Sequence, residues 1–251
     1  MSPFDLSGRC ALVTGANTGI GQAICVGLAQ AGAEIVGAGR SSMAETAALV
    51  AAMGGRFTPI TVDLSDIAAA RVLIARTTEL VRRPDILVNN AGTISRADAV
   101  DVTEDDWDRV MDTNLKSVFF LSTALARATL EAGARARIVN IASLLSFQGG
   151  IRVAAYTASK SGLAGLTRLL ANEWAPKGIN VNAIAPGYVV THNTDALRAD
   201  AGRSRDILMR IPAGRWAEAA DIVGAAVFLA SPAADYVHGA ILPVDGGWLG
   251  R

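Results

Sequence analysis

Tyr156 and Lys160 stand four residues apart in Tyr156-Thr157-Ala158-Ser159-Lys160, and Ser143 lies upstream of them. On a helix that spacing places a phenol and an ammonium on one face. A phenol titrates near ~10, and a neighbouring cation favours its ionised form. Tyr156 is therefore a candidate acid/base with a role near neutral pH. By itself the pair also fits an ordinary helix with a surface lysine, so the rest of the chain has to decide.

A second group of residues has the chemistry of phosphate binding. A β-branched run ending at Thr14 leads into Gly15-Ala16-Asn17-Thr18-Gly19-Ile20-Gly21 and then an alanine-rich helix. Glycines at such a turn let the backbone approach a pyrophosphate, whose charge is favoured at a helix N-terminus. The spacing is GxxxGxG rather than GxGxxG. The end of the second strand selects the cofactor, since an acidic residue there suits NAD and an arginine suits a 2′-phosphate. Here Gly39 is followed by Arg40, which favours NADP; the other reading is a solvated Arg40 in an enzyme that takes either cofactor. Asp63-Leu64 follows the third strand, where a carboxylate meets the adenine edge. Asn89-Asn90-Ala91-Gly92 follows the fourth, at the carboxyl edge where ligands sit in open α/β sheets.

These residues need a scaffold, and the pattern supplies one. Candidate strands at 9–14, 34–39, 56–62, 85–88, 137–141, 180–184 and 240–244 alternate with alanine- and leucine-rich helical stretches. Strand–helix alternation implies a parallel sheet with helices on both faces. The strands are nearly unbroken apolar runs, as burial on both faces requires. The expected fold is α/β, a single Rossmann-type doubly wound parallel sheet of about seven strands, with residues 1–251 as one NAD(P)-binding domain. Two long helices are expected, 103–132 and 155–175, each apolar on more than one face. Residues 191–211 are more polar and interrupt the alternation, as a substrate lid does.

Composition narrows the class. Of 251 residues, 51% are hydrophobic and 18% charged, enough for an extensive core. Lysine plus arginine and aspartate plus glutamate number 23 each, which gives no bulk electrostatic case for nucleic acid or an anionic membrane. Cys10 and Cys25 lie in apolar stretches and read as buried free thiols. His192 and His238 have no paired ligand spacing, so no metal is assigned. The N-terminus lacks the features of a signal peptide, and no apolar run of about 18 residues stands out, so a cytoplasmic protein is expected.

Together, TGANTGIG, NNAG, Asn114, Ser143, YTASK and Pro186-Gly187 resemble the short-chain dehydrogenase/reductase family in order and spacing, over essentially the whole chain. That resemblance implies a nicotinamide cofactor and a homotetramer built on the two long helices. It implies that Ser143 bonds the substrate oxygen, Tyr156 is the acid/base, and Lys160 holds the nicotinamide ribose and lowers the tyrosine pKa. Asn114 is implied to fix a water linking Lys160 to a proton path. Pro186, Gly187, Val189 and Thr191 are implied to line the nicotinamide, with Gly15, Asn17, Thr18, Gly19, Ile20, Gly21, Gly39, Arg40, Asp63, Leu64, Asn90, Ala91 and Gly92 around the rest of the dinucleotide.

The segments from Ser143 to Gly162, Ala185 to Asp200, Ile211 to Ile222 and Val244 to Arg251 are similar to sugar-acid members of the family, those acting on 2-deoxy- or 3-deoxy-gluconate derivatives. Those members generally use NAD, against the reading of Gly39-Arg40. Gln148 and Arg152 stand between Ser143 and Tyr156, and an arginine pairs with a carboxylate through two hydrogen bonds. Tyr188, His192 and Asn193 open the lid and can bond sugar hydroxyls. Arg198, Arg203, Arg205 and Arg210 follow, as lid ligands or as a solvated basic face. Gluconate 5-dehydrogenase or another polyol dehydrogenase is the nearest alternative, and a 3-oxoacyl-carrier-protein reductase a more distant one. A catalytically idle nucleotide-binding regulator is the alternative of a different class.

Overall fold

A computed structural model describes residues 2–251. Seven strands form one parallel sheet: β1 (Cys10–Thr14), β2 (Glu34–Gly39), β3 (Phe57–Thr61), β4 (Ile86–Asn89), β5 (Ala136–Ile141), β6 (Ile179–Pro186) and β7 (Ile241–Val244). Their spatial order is β3-β2-β1-β4-β5-β6-β7, every pairing parallel. The chain thus winds one way from β1 to β3, crosses back, and continues from β4 to β7. The crevice between β1 and β4 is the point of reversal, where such sheets bind ligands.

Among the described residues, nine α-helices accompany the strands: α1 (Gly19–Gln30), α2 (Ala44–Ala52), α3 (Ile67–Leu80), α4 (Glu104–Met111), α5 (Ser117–Glu131), α6 (Ala154–Trp174), α7 (Asp195–Ala199), α8 (Ala201–Arg210) and α9 (Ala220–Ala230). Strand side chains alternate between two cores, because successive β-carbons point to opposite faces. Ala11 and Val13 of β1 join Ile24 and Leu28 of α1 and Ile222 and Leu229 of α9 in one core. Cys10 and Leu12 of the same strand join Leu73 of α3, Leu121 and Leu125 of α5, and Leu170 and Trp174 of α6 in the other. Burial pushes the Cys10 thiol up to about 11 and the Cys25 thiol up to about 12, which keeps both protonated and inert.

The single helix expected over 103–132 is interrupted. Thr103 caps α4 by accepting from the Asp106 amide, Glu104, Asp105 and Asp106 fill the first turn, and a π-turn at Asp112–Lys116 then separates α4 from α5. Asn114 sits in that turn and is 1% exposed. An extra residue in the helical ladder redirects one side chain, and here that side chain is Asn114. The polar excursion at 191–211 contains a 3₁₀ turn (His192–Thr194), α7 and α8 rather than unstructured chain.

Candidate active site

The first βα turn is held to the fourth strand by one side chain. The Thr14 hydroxyl donates to the Val88 carbonyl at 3.3 Å and accepts from the Asn90 and Ala91 amides, both at 3.0 Å. The Asn90 amide group donates back to the carbonyls of Thr14 and Gly15 at 2.9 and 3.2 Å. Gly15 and Gly19 have φ of +65° and +57°, a conformation that favours glycine. Gly21 serves packing: a β-carbon there would lie 2.1 Å from the Gly15 carbonyl oxygen and 2.4 Å from the Asn90 side chain. It lets α1 close on the turn and does not itself line the cleft.

A cleft of about 1000 Å³ runs from this turn to the catalytic candidates. At one end lie Gly39, Arg40, Asp63 and Leu64; in the middle Gly15, Asn17, Thr18, Gly19, Ile20, Asn90, Ala91 and Gly92; at the other end Ser143, Tyr156, Lys160, Pro186, Gly187, Val189 and Thr191, followed by His192 and Asn193. The length and the positive-φ glycines at the start of α1 fit a dinucleotide with its pyrophosphate at the helix N-terminus. At Gly39 a β-carbon would meet Asn17 at 3.4 Å and the Met43 sulfur at 3.9 Å, both ordinary contacts, and the backbone is not in the left-handed region. Packing therefore does not demand glycine there, and its lack of a carboxylate bears on ligand choice. Arg40 is mostly exposed and pairs with Asp63 at 3.8 Å. Burial pushes the Asp63 carboxyl up, but the Ser65 amide and hydroxyl and the Arg40 guanidinium outweigh it and hold the group below its usual range.

At the reacting end Tyr156 and Ser143 line the same cleft wall, and Ser143 lies near enough to the phenol to lower its pKa. Ser143 also accepts from the Leu145 amide at 3.2 Å, which fixes its rotamer. Lys160, 4% exposed, donates to the Ile141 carbonyl at 2.6 Å and lies 5.6 Å from the Tyr156 ring centre. The expectation that Lys160 lowers the tyrosine pKa does not describe this arrangement. Burial raises the Tyr156 pKa, and the two influences that pull it down, without prevailing, are the Ser143 hydrogen bond and the charge of Arg96. Burial alone pulls Lys160 down to about 8. Desolvation pushes both groups toward their neutral forms. Asn114 holds the β4 loop, accepting from the Thr93 amide at 2.8 Å and donating to its carbonyl at 2.9 Å. It also donates to the Ser159 hydroxyl at 3.2 Å, and Ser159 in turn donates to the Tyr156 carbonyl at 2.8 Å. It thus ties the cleft floor to α6 without lining the cleft.

Three expected substrate residues lie elsewhere. Arg152 has φ of +63°, and its exposed guanidinium pairs with Asp98 at 3.1 Å. Gln148 accepts from the Trp248 indole at 3.2 Å. Tyr188 packs between Trp216 and Trp248, with ring centres 5.4 and 4.8 Å away. None of the three lines the cleft. Arg96 does not line the cleft either, but it donates to the Asn193 carbonyl at 2.8 Å, and its charge lowers the Tyr156 pKa. No spacing rule marks Arg96, or the Thr14 hydroxyl that closes the crevice. Among the lid arginines, Arg198 lines the cleft and pairs with Asp195 at 2.5 Å, and Arg210 stacks 3.9 Å over the Trp248 ring.

The Lys160 shift has a sign that equilibrium unfolding checks. An unfolded lysine keeps its proton to about 10.5 and the folded one releases it near about 8, so the unfolded state binds more protons between those values. Burying the charge costs stability at neutral pH, and that cost disappears as pH rises from about 8 to about 10.5. Relative to Lys160→Met, the cofactor-free wild type should gain stability across this window by roughly 3 kcal/mol. A pH-independent difference in urea denaturation would show that Lys160 is not desolvated.

With this geometry in place, the similarities to known proteins are informative. A family model described as Enoyl-(Acyl carrier protein) reductase matches residues 15–249. The chain is 55% identical to a 2-dehydro-3-deoxy-D-gluconate 5-dehydrogenase of Dickeya dadantii over 251 residues, covering 100% of this chain and 99% of that protein. An Agrobacterium tumefaciens structure with bound NADP, assigned provisionally as a 2-deoxy-D-gluconate 3-dehydrogenase, superposes with a TM-score of 0.96 at 62% identity, covering 100% of both chains. A gluconate 5-dehydrogenase from Burkholderia cenocepacia in complex with NADP and tartrate does so with a TM-score of 0.93 at 39% identity, covering 99% of this chain and 98% of that one. The Tyr156–Lys160–Ser143 arrangement, the glycine turn at the sheet's reversal point and full-length similarity lead to one conclusion: the chain belongs to the short-chain dehydrogenase/reductase family.

Proposed function

We propose that this protein is an NAD(P)-dependent dehydrogenase that interconverts a secondary alcohol and a ketone on a sugar acid, a 2-deoxy- or 3-deoxy-gluconate derivative. The observation that carries the reading is the meeting of Ser143, Tyr156 and Lys160 at the end of a dinucleotide-sized cleft. The relatives' names support the substrate class. The bound nicotinamide supplies hydride exchange with the substrate carbon. Tyr156 gives a proton to the oxygen as a ketone is reduced and takes it as an alcohol is oxidised. Ser143 donates a hydrogen bond to the same oxygen, so its stabilisation grows with the developing charge. Lys160 holds the ribose, and Asn114 keeps the Thr93 loop and α6 in register around it. Thr191, which lies beside Gly19, is the residue this reading assigns to the carboxamide. Arg96 is the cation for the substrate carboxylate, in place of Arg152.

NADP is the favoured cofactor, supported by Gly39-Arg40 and by the NADP in related structures. We assign residues 1–251 to one nucleotide-binding domain, 191–211 to a lid over the substrate, and the enzyme to the cytoplasm. No nucleic acid or membrane partner belongs to this reading. We infer a homotetramer on the long helices, supported by the exposed Leu130 of α5 and Leu169 of α6. A gluconate 5-dehydrogenase is the second reading, favoured by the likeness to the Burkholderia structure.

The deciding experiment follows reduced-nicotinamide absorbance with both cofactors and a panel of aldonates and deoxy-ketohexonates. Turnover of a deoxy-gluconate is expected; turnover of gluconate alone selects the second reading, and binding of cofactor with no turnover rejects both. Tyr156→Phe should abolish turnover and leave NADP affinity nearly intact in fluorescence titration; activity within about tenfold of wild type overturns the acid/base role. Arg40→Ala should weaken NADP far more than NAD, and equal losses would remove Arg40 from 2′-phosphate recognition. Arg96→Ala should raise KM for the acid substrate at least about tenfold, as loss of a charge-assisted hydrogen bond does. The same change in Arg152→Ala alone would reverse that assignment.

A further inference from the structure

The end of the sheet remote from the cleft carries an excess of arginine that the proposed reaction does not use. Asp85, just before β4, is 11% exposed and already has four partners. Arg82 reaches it at 3.0 Å, Arg9 and Arg83 each at 3.6 Å, and the Cys10 amide donates to it at 2.9 Å. Beside it, Arg137 at the start of β5 is 14% exposed and pairs through Nη2 with Asp235. Its Nη1 is buried and has no hydrogen-bond partner among the described residues. Arg135, exposed, forms no ion pair among the described residues. Two carboxylates therefore face the guanidiniums of Arg9, Arg82, Arg83, Arg135 and Arg137.

Between these groups lies a cavity of about 100 Å³, lined by Arg9, Arg135, Arg137, Asp85, Asn180 and Asp235 among others. It is smaller than the ~300–1,000 Å³ usual for pockets that hold whole organic ligands, and is the size of several waters or one tetrahedral oxyanion. Burial lowers the Arg137 pKa, Asp235 opposes that, and the charges of Arg135 and Arg9 lower it further. Arginines that repel one another around a small polar cavity are a setting that an oxyanion neutralises, and the planar guanidinium fork matches phosphate oxygens. On a chain whose net charge is zero, this local surplus is not a reflection of composition.

We propose that this cavity is a second anion site, separate from the nucleotide cleft, which binds the phosphoryl group of inorganic phosphate or of a small phosphomonoester. Arg135 and Arg9 supply the accessible donors, and Arg137 supplies the buried positive charge beneath them. Asn180, whose side chain is spent on the carbonyls of Ala234, Asp235 and Val237, fixes the floor. The proposal stands whatever the substrate of the main site.

The test uses NADP-saturated protein, so that phosphate has no access to the nucleotide cleft. The melting temperature is followed with increasing potassium phosphate against potassium chloride at equal ionic strength. A ligand that binds only the folded state raises Tm with its concentration. A rise specific to phosphate is expected, with the half-effect concentration shifted about tenfold upward in Arg135→Gln and in Arg9→Gln. Both side chains are exposed, so the fold tolerates either change. A tighter response to glycerol phosphate than to inorganic phosphate identifies a phosphomonoester as the ligand; an equal or weaker one identifies free phosphate. A rise that chloride reproduces, or one that neither substitution alters, overturns the site.

Discussion

One hydroxyl holds the crevice on which the rest of this molecule depends. β1 and β4 are neighbours in the sheet but far apart in the chain, and the loops that leave their ends diverge. The Thr14 hydroxyl spans the gap with its single donor on Val88 and its acceptor capacity on two consecutive amides, Asn90 and Ala91. Asn90 returns two bonds to the Thr14–Gly15 backbone. A buried hydroxyl used this fully is rigid, because any displacement leaves desolvated amides without partners. Gly21 then has to be glycine because the closed turn leaves no room for a side chain.

At the far end of the cleft, Lys160 is buried against the Ile141 carbonyl and Tyr156 is half-buried. Desolvation favours the neutral form of each, so it raises the phenol and lowers the ammonium, bringing their proton affinities closer together. Ser143 and Arg96 act against that trend on the tyrosine. The site is therefore not a simple cation–phenolate pair. It is the end of a large cleft in which the Ser143 hydroxyl and the Arg96 guanidinium compete with burial.

Substrate recognition depends on which loops meet. The loop after β4 is fastened to the segment before α6 by the Ala97 amide on the Arg152 carbonyl at 3.2 Å and by Arg152 on Asp98. These contacts use Arg152 as a strut and leave Arg96 to bond the Asn193 carbonyl. On the other side, Trp248 engages Gln148, Tyr188 and Arg210, so residues that look available in the chain become packing.

The alternation of strands and helices, the glycine turn, and the order of NNAG, Asn114, Ser143 and YTASK are legible along the chain, and with them the family and its chemistry. Those features are local: apolar runs, helical spacing and glycine positions are physical statements about neighbours along the chain. Strand boundaries were legible to within two residues for the same reason. What only the tertiary structure decided is contact between distant segments. It broke the expected 103–132 helix at a π-turn to turn Asn114 inward, made Gly21 a packing residue, and tied Arg152 to Asp98 while bringing Arg96 against Asn193. It also gathered Arg9, before β1, with Arg135 and Arg137, at the start of β5, around one cavity. A side chain's direction and desolvation depend on what packs against it, and no spacing rule within one segment contains that information.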